Sequence, residues 1–512
     1  LKKNKRIIVH ESRITFKSAF KRFIDACRIR GIKNEYPFTA KYMGYRSLIE
    51  YLKKLAFSYY EEVIKARFSK DASNKLKLGG TEQQMMPVTK PFQRVEFDGH
   101  NIDIVFVLEV PSPHGGTTAV PVDRLWILTI RESLTGAIIG YHFSYGREYN
   151  KFDVMQCIKK TIMPWIPRNL SIPALKYPEN GGIPSAIIEK ARWAIFQEIC
   201  FDNAKANLSD EVTRVLIDVV GCAVNAGPIH FPERRAMIER FYGIFEENGF
   251  HRLPSTLGSN QKDPRRKNPE MLAQKYNIKL EDIKDLVELL IADFNGTPTI
   301  RNGYRSPIEQ LRFLLKDENV FIPKLDERKR TKLCMFDLRY ERKIRGSVKD
   351  GIRPYVTVEG AKYTNNILSN TPALIGKKLI IYIDPNDPRY GESFFGDDGA
   401  EFGMLQATGH WGSKHHTLDM RRAINKSRDK QLKYYTDNQD AIHAYLDNTQ
   451  KEALASKKGR KKLIKIEEAQ KTAKTKSFID NNNGNIQDQE KTGQGEQRKI
   501  DPAMWDQKGY LD

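Results

Sequence analysis

The chain is poor in cysteine, with five in 512 residues and no pair at CxxC spacing. Cys27, Cys157, Cys200, Cys222 and Cys334 are scattered, which excludes a disulfide framework or a cysteine zinc cluster and predicts thiols in a reducing compartment. The ten histidines form no HExxH or HxxxH pattern. His415 and His416 are adjacent in a polar stretch and read as a surface pair. No apolar run reaches membrane-spanning length, no secretory signal opens the chain, and no internal repeat is visible. The first residue is Leu1 rather than Met, which reads as a trimmed start. Acidic residues are the scarcer charge, 64 against 85 Lys and Arg, for a net charge of +21. That excess suits a polyanionic partner, and with no membrane-spanning run no membrane partner is expected.

At this length a single core is excluded, and three or more domains are expected. Residues 1–75 read as a basic helical segment, with Phe16, Phe20, Phe23 and Ile24 at helical spacing; it is either a helix-turn-helix or a linker. A polar linker follows over 76–90. Strand patterns then appear at Val95 to Phe97, Ile102 to Val110, Leu125 to Ile130, Ala137 to Phe143 and Ala194 to Phe201. Helical patterns run from Phe152 to Ile162, Ser209 to Val219, Leu280 to Phe294 and Ser306 to Leu315. Residues 91–320 thus read as one mixed α/β domain, with a Pro- and Gly-rich insertion near 164–184. Short strands over 325–412 predict a small all-β barrel. A charged helical segment follows over 413–476, and the Asn-, Gln- and Gly-rich residues 477–512 predict a disordered tail.

Three acids stand where acids are costly without a task. Asp98 ends a hydrophobic strand in VEFDGHNIDIVF, Asp202 ends another in EICFDN, and Glu239 lies beside the stripe Ile238, Phe241, Tyr242 and Phe245 of a helix, bordering the sheet rather than open water. Two strand-end aspartates and one helical glutamate suit a pair of Mg²⁺ or Mn²⁺ ions, which prefer carboxylate oxygen and water. Two such ions about 3.5–4 Å apart clamp the attacking and leaving oxygens of a phosphodiester. No Ser, Tyr or Cys nucleophile is implied.

In order and type, these residues resemble the retroviral-integrase superfamily of DDE recombinases, and within it phage Mu-type transposases and the TnsB-like subunits of heteromeric transposons. FDGHNIDIVF is similar to the family's first core strand, Asp202-Asn203 to its second acid, and Glu239-Arg240-Phe241 to its helical third acid. RLWILTIRESLTGAIIGYHFS is similar to its second and third strands. IADFNGTPTIRNGYRSPIEQL resembles the end of the catalytic domain, and DGIRPYVTVEGAKYTNN with GKKLIIYIDPNDPRYGESFF the Mu-type barrel. The likeness covers about residues 90–412. It implies an RNase H-like integrase core whose Asp98, Asp202 and Glu239 are catalytic and hold two metal ions. It also implies 3′-end cleavage of transposon DNA, strand transfer into target DNA, a homo-multimer on paired ends, and a bacterial cytoplasmic, nucleoid-associated setting. The separation of Asp98 and Asp202 exceeds that of compact integrases, and the integrase zinc-binding domain is missing. Glu96, Asp103, Asp210, Glu233 and Glu246 are fallback ligands.

Basic clusters flank this constellation: Arg234 and Arg235, Arg265, Arg266 and Lys267, and Arg328, Lys329, Arg330 and Lys332. Such clusters neutralise phosphates without reading sequence, and Arg235 stands nearest to Glu239. His100 and Asn203 are further candidates for positioning water or DNA. The tail carries Trp505, Tyr510 and Leu511, aromatic and apolar anchors of a docking peptide or an untethered end; the resemblance implies an AAA+ ATPase as its partner. Two alternatives remain: a catalytically silent DNA-binding assembly protein, and a nuclease without joining activity.

Overall fold

The computed structural model describes residues 15–59, 87–112, 116–172, 175–201, 209–226, 236–256, 268–330, 332–428 and 441–490. The chain divides into two compact units, Leu1–Thr89 with Pro228–Ala236, and Lys90–Gly227 with Met237–Asp512.

In the first unit, α1 (Phe16–Ile29) starts on a reciprocal cap. Thr15 Oγ1 accepts from Ser18 N–H, and Ser18 Oγ accepts from Thr15 N–H. Its apolar stripe buries Ile24 and Cys27, and Phe20 meets Tyr45 of α2 (Tyr45–Ser58) edge-on, ring centroids 4.9 Å apart.

The second unit is built on two sheets. The first has strands β1 (Arg94–Pro111), β2 (Thr117–Glu132), β3 (Ile138–Ser144), β4 (Glu198–Cys200) and β5 (Ala223–Asn225), in the spatial order β3-β2-β1-β4-β5. β1, β2 and β3 pair antiparallel, whereas β4 and β5 run parallel to β1. The two strand patterns read within 95–110 are one continuous strand, because the long β2 pairs along both and a bulge between Ile102 and Val105 absorbs the mismatch. The strand expected over Ala194 to Phe201 shortens to β4, since Ala194 and Ile195 bond instead to Lys324 and Pro323.

Alternation along β1 sorts its side chains between two faces. Val95 and Phe97 enter a core with α3 (Lys151–Ile162) and α4 (Asp210–Arg214), which continues as a π turn to Val220. Ile102, Ile104 and Phe106 enter the opposite core with α5 (Ala236–Asn248) and α7 (Leu280–Gly296), while the intervening α6 (Pro269–Lys275) packs Ala273 against Val105 and Val107. α8 (Pro307–Lys316), opened by the Ser306 and Glu309 capping box, closes the first core with Ile308 and Leu311.

The Pro- and Gly-rich stretch near 164–184 is held by two carboxylates buried on α7. Asp285 accepts from Arg168 Nε at 3.0 Å and from Ser171 N and Oγ, both at 2.6 Å. Glu288 accepts from Tyr141 Oη and Tyr177 Oη, both at 2.7 Å, and from Trp165 Nε1 at 3.2 Å. Gly181 lets this stretch touch the helix: a Cβ there would stand 2.2 Å from Ala292 O.

The second sheet has seven strands: β6 (Leu338–Lys343), β7 (Arg345–Ser347), β8 (Ile352–Val358), β9 (Ala361–Thr364), β10 (Lys378–Ile383), β11 (Tyr390–Phe395) and β12 (Glu401–Ala407). Their order is β6-β10-β11-β12-β9-β8-β7, an antiparallel half-barrel that buries Val356, Val358, Leu379, Ile381 and Ile383. The expected surface pair of histidines is corrected here. His416 is fully buried, because its Nε2 accepts from Arg421 Nε at 3.1 Å beneath Trp411. Arg421, also fully buried, further donates to Tyr363 Oη at 2.6 Å and Pro388 O at 2.8 Å.

Beyond the half-barrel lie α9 (Leu418–Arg428), α10 (Ala441–Ala455) and α11 (Lys457–Glu490). The segment read as a charged helix is also a core element. Ala453, Leu463 and Ile464 pack into the α5–α7 face of the first sheet, and Ile442 and Ile466 into the half-barrel core. α11 continues past residue 477, where composition predicts disorder; a helix anchored by packing propagates more cheaply than it nucleates.

Candidate functional site

The even-numbered face of β1 presents Glu96, Asp98 and His100 in succession toward α5. Asp98 is half-buried, and its Oδ1 accepts from Gly99 N–H at 3.0 Å. Gly99 points to the other face, where a Cβ would stand 2.8 Å from the Tyr149 ring. The Asp-Gly-His run therefore has a physical reading: the acid and the histidine share one face, and the glycine leaves room for an aromatic on the other.

α5 docks on this strip through Tyr242. Its Oη donates to Asp98 O at 2.9 Å and contacts Thr129 Oγ1 at 2.7 Å on β2, which pairs with Asp98 in register. Burial first, then the nearby Asp98 carboxylate, pushes the Tyr242 phenol well above its ordinary range, so the hydroxyl remains a donor. The Tyr242 ring stacks on His100 at 4.5 Å. One turn further, Glu246 Oε1 accepts from His100 Nε2 at 2.9 Å, and Glu246 Oε2 lies 3.6 Å from His251 Nε2. Glu239, Tyr242 and Glu246 share one helical row. Because Tyr242 reaches Asp98 and Glu246 reaches His100, the row runs alongside β1 with Glu239 at the Asp98 end. Glu239 is exposed, in the first turn of α5, rather than bordering the sheet. A carboxylate there is favoured by the helix dipole and left accessible.

Asp98 is thus half-buried beside α5, and Glu239 is exposed in the first turn of that helix. Asp202, Asn203, Glu233, Arg234, Arg235, Arg265, Arg266, Lys267, Trp505, Tyr510 and Leu511 lie outside the described residues. Among the described residues, no group of three or more His, Cys, Asp or Glu stands close enough to hold a metal ion. The fallback acids have other tasks. Glu96 accepts from Arg131 Nη1 at 3.0 Å and Ser133 Oγ at 3.2 Å, Asp103 lies 3.5 Å from Arg124, and Asp210 opens α4.

The basic cluster at 328–332 is largely engaged within the protein. Lys329 Nζ donates to Asp218 O at 2.7 Å and Val219 O at 3.0 Å, capping the π turn. Arg330 Nε donates to Leu325 O at 2.8 Å, and Lys332 Nζ lies 3.0 Å from Glu401. Arg328 is exposed. The residues that sequence reasoning missed are Tyr242 and Glu246, one counted as core and the other held in reserve as a ligand. The available signal was a phenol and a carboxylate on the same helical row as Glu239.

No family model matches the chain, and no curated protein matches it. Among solved structures, it is similar to a chain of the simian T-cell lymphotropic virus intasome in complex with the PP2A regulatory subunit B56 gamma. The TM-score is 0.26 and the identity 10%, over 70% of this chain and 98% of that one. So weak a likeness carries no inference about fold or chemistry. Among the described residues, no helix is long and apolar enough to cross a membrane.

Proposed function

We propose that the chain is a metal-dependent DNA strand-transfer enzyme, a transposase with an RNase H-like core, in which Asp98, Asp202 and Glu239 form the catalytic carboxylates. The observation that carries this reading is the docking at Asp98, through Tyr242, of the helix that carries Glu239 in its first turn. The sheet supports it. Three antiparallel strands followed by two parallel to the first, with helices on both faces, is the strand order that an RNase H-like core requires. The β1–β4 register pairs Glu96 with Cys200, two residues before Asp98 on one strand and, in sequence, two residues before Asp202 on the other.

The donor set is entirely oxygen, which fits Mg²⁺ or Mn²⁺. When bound, two such ions supply charge neutralisation and a clamp on the attacking and leaving oxygens. The protein's own contribution is placement. β1 holds the Asp98 carboxylate by backbone pairing, and α5 carries Glu239 in its first turn. The reaction is hydrolysis at a transposon 3′ end, then attack of the freed 3′-OH on target DNA with loss of the target 3′ oxygen as leaving group. Paired ends call for more than one copy of the chain, and the tail is assigned to an AAA+ partner.

The test is joining of a pre-cleaved transposon-end duplex to plasmid DNA in Mg²⁺ or Mn²⁺. Asp98→Asn, Asp202→Asn and Glu239→Gln are each expected to abolish joined product while retaining DNA binding. Undiminished joining by Asp202→Asn overturns the assignment. Cutting without joining by the unaltered chain identifies a nuclease, and binding with neither identifies an assembly protein.

A further inference from the structure

We infer that Glu246, acting through His100, is a positioning residue that fixes α5 and thereby sets Glu239 against Asp98. The inference rests on the carboxylate site proposed above and adds to it a clamp made by none of the three ligands.

Glu246 is 7% exposed, an unusual place for a carboxylate on a helix surface row. Its Oε1 takes the His100 ring N–H at 2.9 Å, and its Oε2 is buried without a hydrogen bond among the described residues, 3.6 Å from His251. A core built only for stability would fill this place with an apolar side chain. What the pair achieves is directional. His100 is two residues from Asp98 on the same face of β1, and Glu246 is two turns from Glu239 on the same row of α5. Tyr242 sits between them, stacked on His100 and bonded to Asp98 O. α5 is thus tied to β1 at two levels, so it can neither roll nor slide without breaking a directional contact. Apolar packing by Phe241 and Phe245 permits such roll, because dispersion contacts have little angular preference. The third level, at Glu239, is left open, and its placement is set by the two levels below it. Metal ligands tolerate displacements of only ~0.5 Å, so that rigidity bears on ion binding.

The experiment measures Mn²⁺ binding to the full chain by the electron paramagnetic resonance signal of free Mn²⁺, with thermal melting followed in parallel. Asp98→Asn is expected to lose binding. Glu246→Leu is expected to weaken it by about 10-fold or more, as for loss of other residues that orient metal ligands. Glu246→Gln, which still accepts from the His100 N–H, is expected to restore it. His100→Phe keeps the stack on Tyr242 and loses the bond, so it serves if Glu246→Leu does not fold. Combining the two losses is expected to cost no more than either alone, since both break one contact. If Asp98→Asn loses binding and a folded Glu246→Leu or His100→Phe binds like the unaltered chain, the clamp is refuted and the site stands. If Asp98→Asn binds normally, the site itself is refuted, and the clamp with it.

Discussion

Tyr242 donates to the backbone oxygen of Asp98 at 2.9 Å, so the helix carrying one candidate ligand is bonded to the strand position carrying another. Replacing Tyr242 by Phe keeps the ring stack on His100 and removes the hydroxyl. Thr129 Oγ1, fully buried, then loses its contact as well. The expected cost is about 1–3 kcal/mol of stability. Denaturant unfolding measures this, and an unchanged midpoint would show the bond to be incidental.

Asn295 is fully buried at the end of α7 and satisfies three backbone groups. It accepts from Ile138 N at 2.8 Å and donates to Ile138 O at 2.9 Å and Gly182 O at 2.8 Å. Asn295→Asp keeps the acceptor but turns a carboxylate toward two carbonyl oxygens. A loss of about 3 kcal/mol or more is expected from the buried charge and the orphaned acceptors. Asn295→Ala, which leaves the same groups unbonded without the charge, is expected to unfold at higher denaturant than Asn295→Asp at neutral pH.

Both sheets of the second unit are expected to weaken in mild acid, each through one histidine. Burial lowers the His416 ring to about 4 from its usual 6.5, and burial likewise holds His142 of β3 near 4. A histidine with a lowered folded value binds its proton more readily when unfolded. Its contribution is therefore complete above pH 6.5 and is lost as pH falls toward 4, up to about 3 kcal/mol for each ring. Unfolding midpoints taken between pH 7 and 4 measure the loss; a flat profile over that window contradicts the neutral, buried assignment of His416.

Glu467 of α11 behaves in the opposite sense. Burial raises its carboxyl to about 7 from 4.5, Lys471 opposing. The folded protein holds that proton more tightly, so stability falls as pH rises from 4.5 through 7. Glu467→Gln is expected to raise the melting temperature at pH 8 and to leave it unchanged at pH 4. An equal effect at both values would remove the charge as the cause.

Lys329 was read from sequence as a phosphate contact, yet its ammonium caps two carbonyls at the end of the π turn. Lys329→Met is expected to cost about 1–2 kcal/mol in stability. It should leave the salt dependence of DNA binding unchanged, whereas a true phosphate contact lowers the slope by about one. Binding measured across a salt series separates the two roles.

The local signals in the sequence were those written in short-range periodicity. The strand pattern of Val95 to Phe97 placed Asp98 on the sheet, at a strand end by sequence but within the continuous β1 in the fold. The 3.6-residue stripe of Ile238, Phe241, Tyr242 and Phe245 likewise placed Glu239 on a packed helix. The two-sheet, mixed α/β layout followed from the order of such patterns. Hydrogen bonds formed across long stretches of chain left no such trace. Asp285 and Glu288 look like the wet side of a helix until the 164–184 stretch covers them with hydroxyl and N–H donors. His416 looks like a surface residue until Arg421 is folded beneath it. The exposure of Glu239 was misjudged for the same reason. Periodicity says which side of a helix is apolar, but only the partner packed against that side decides where its edge meets water.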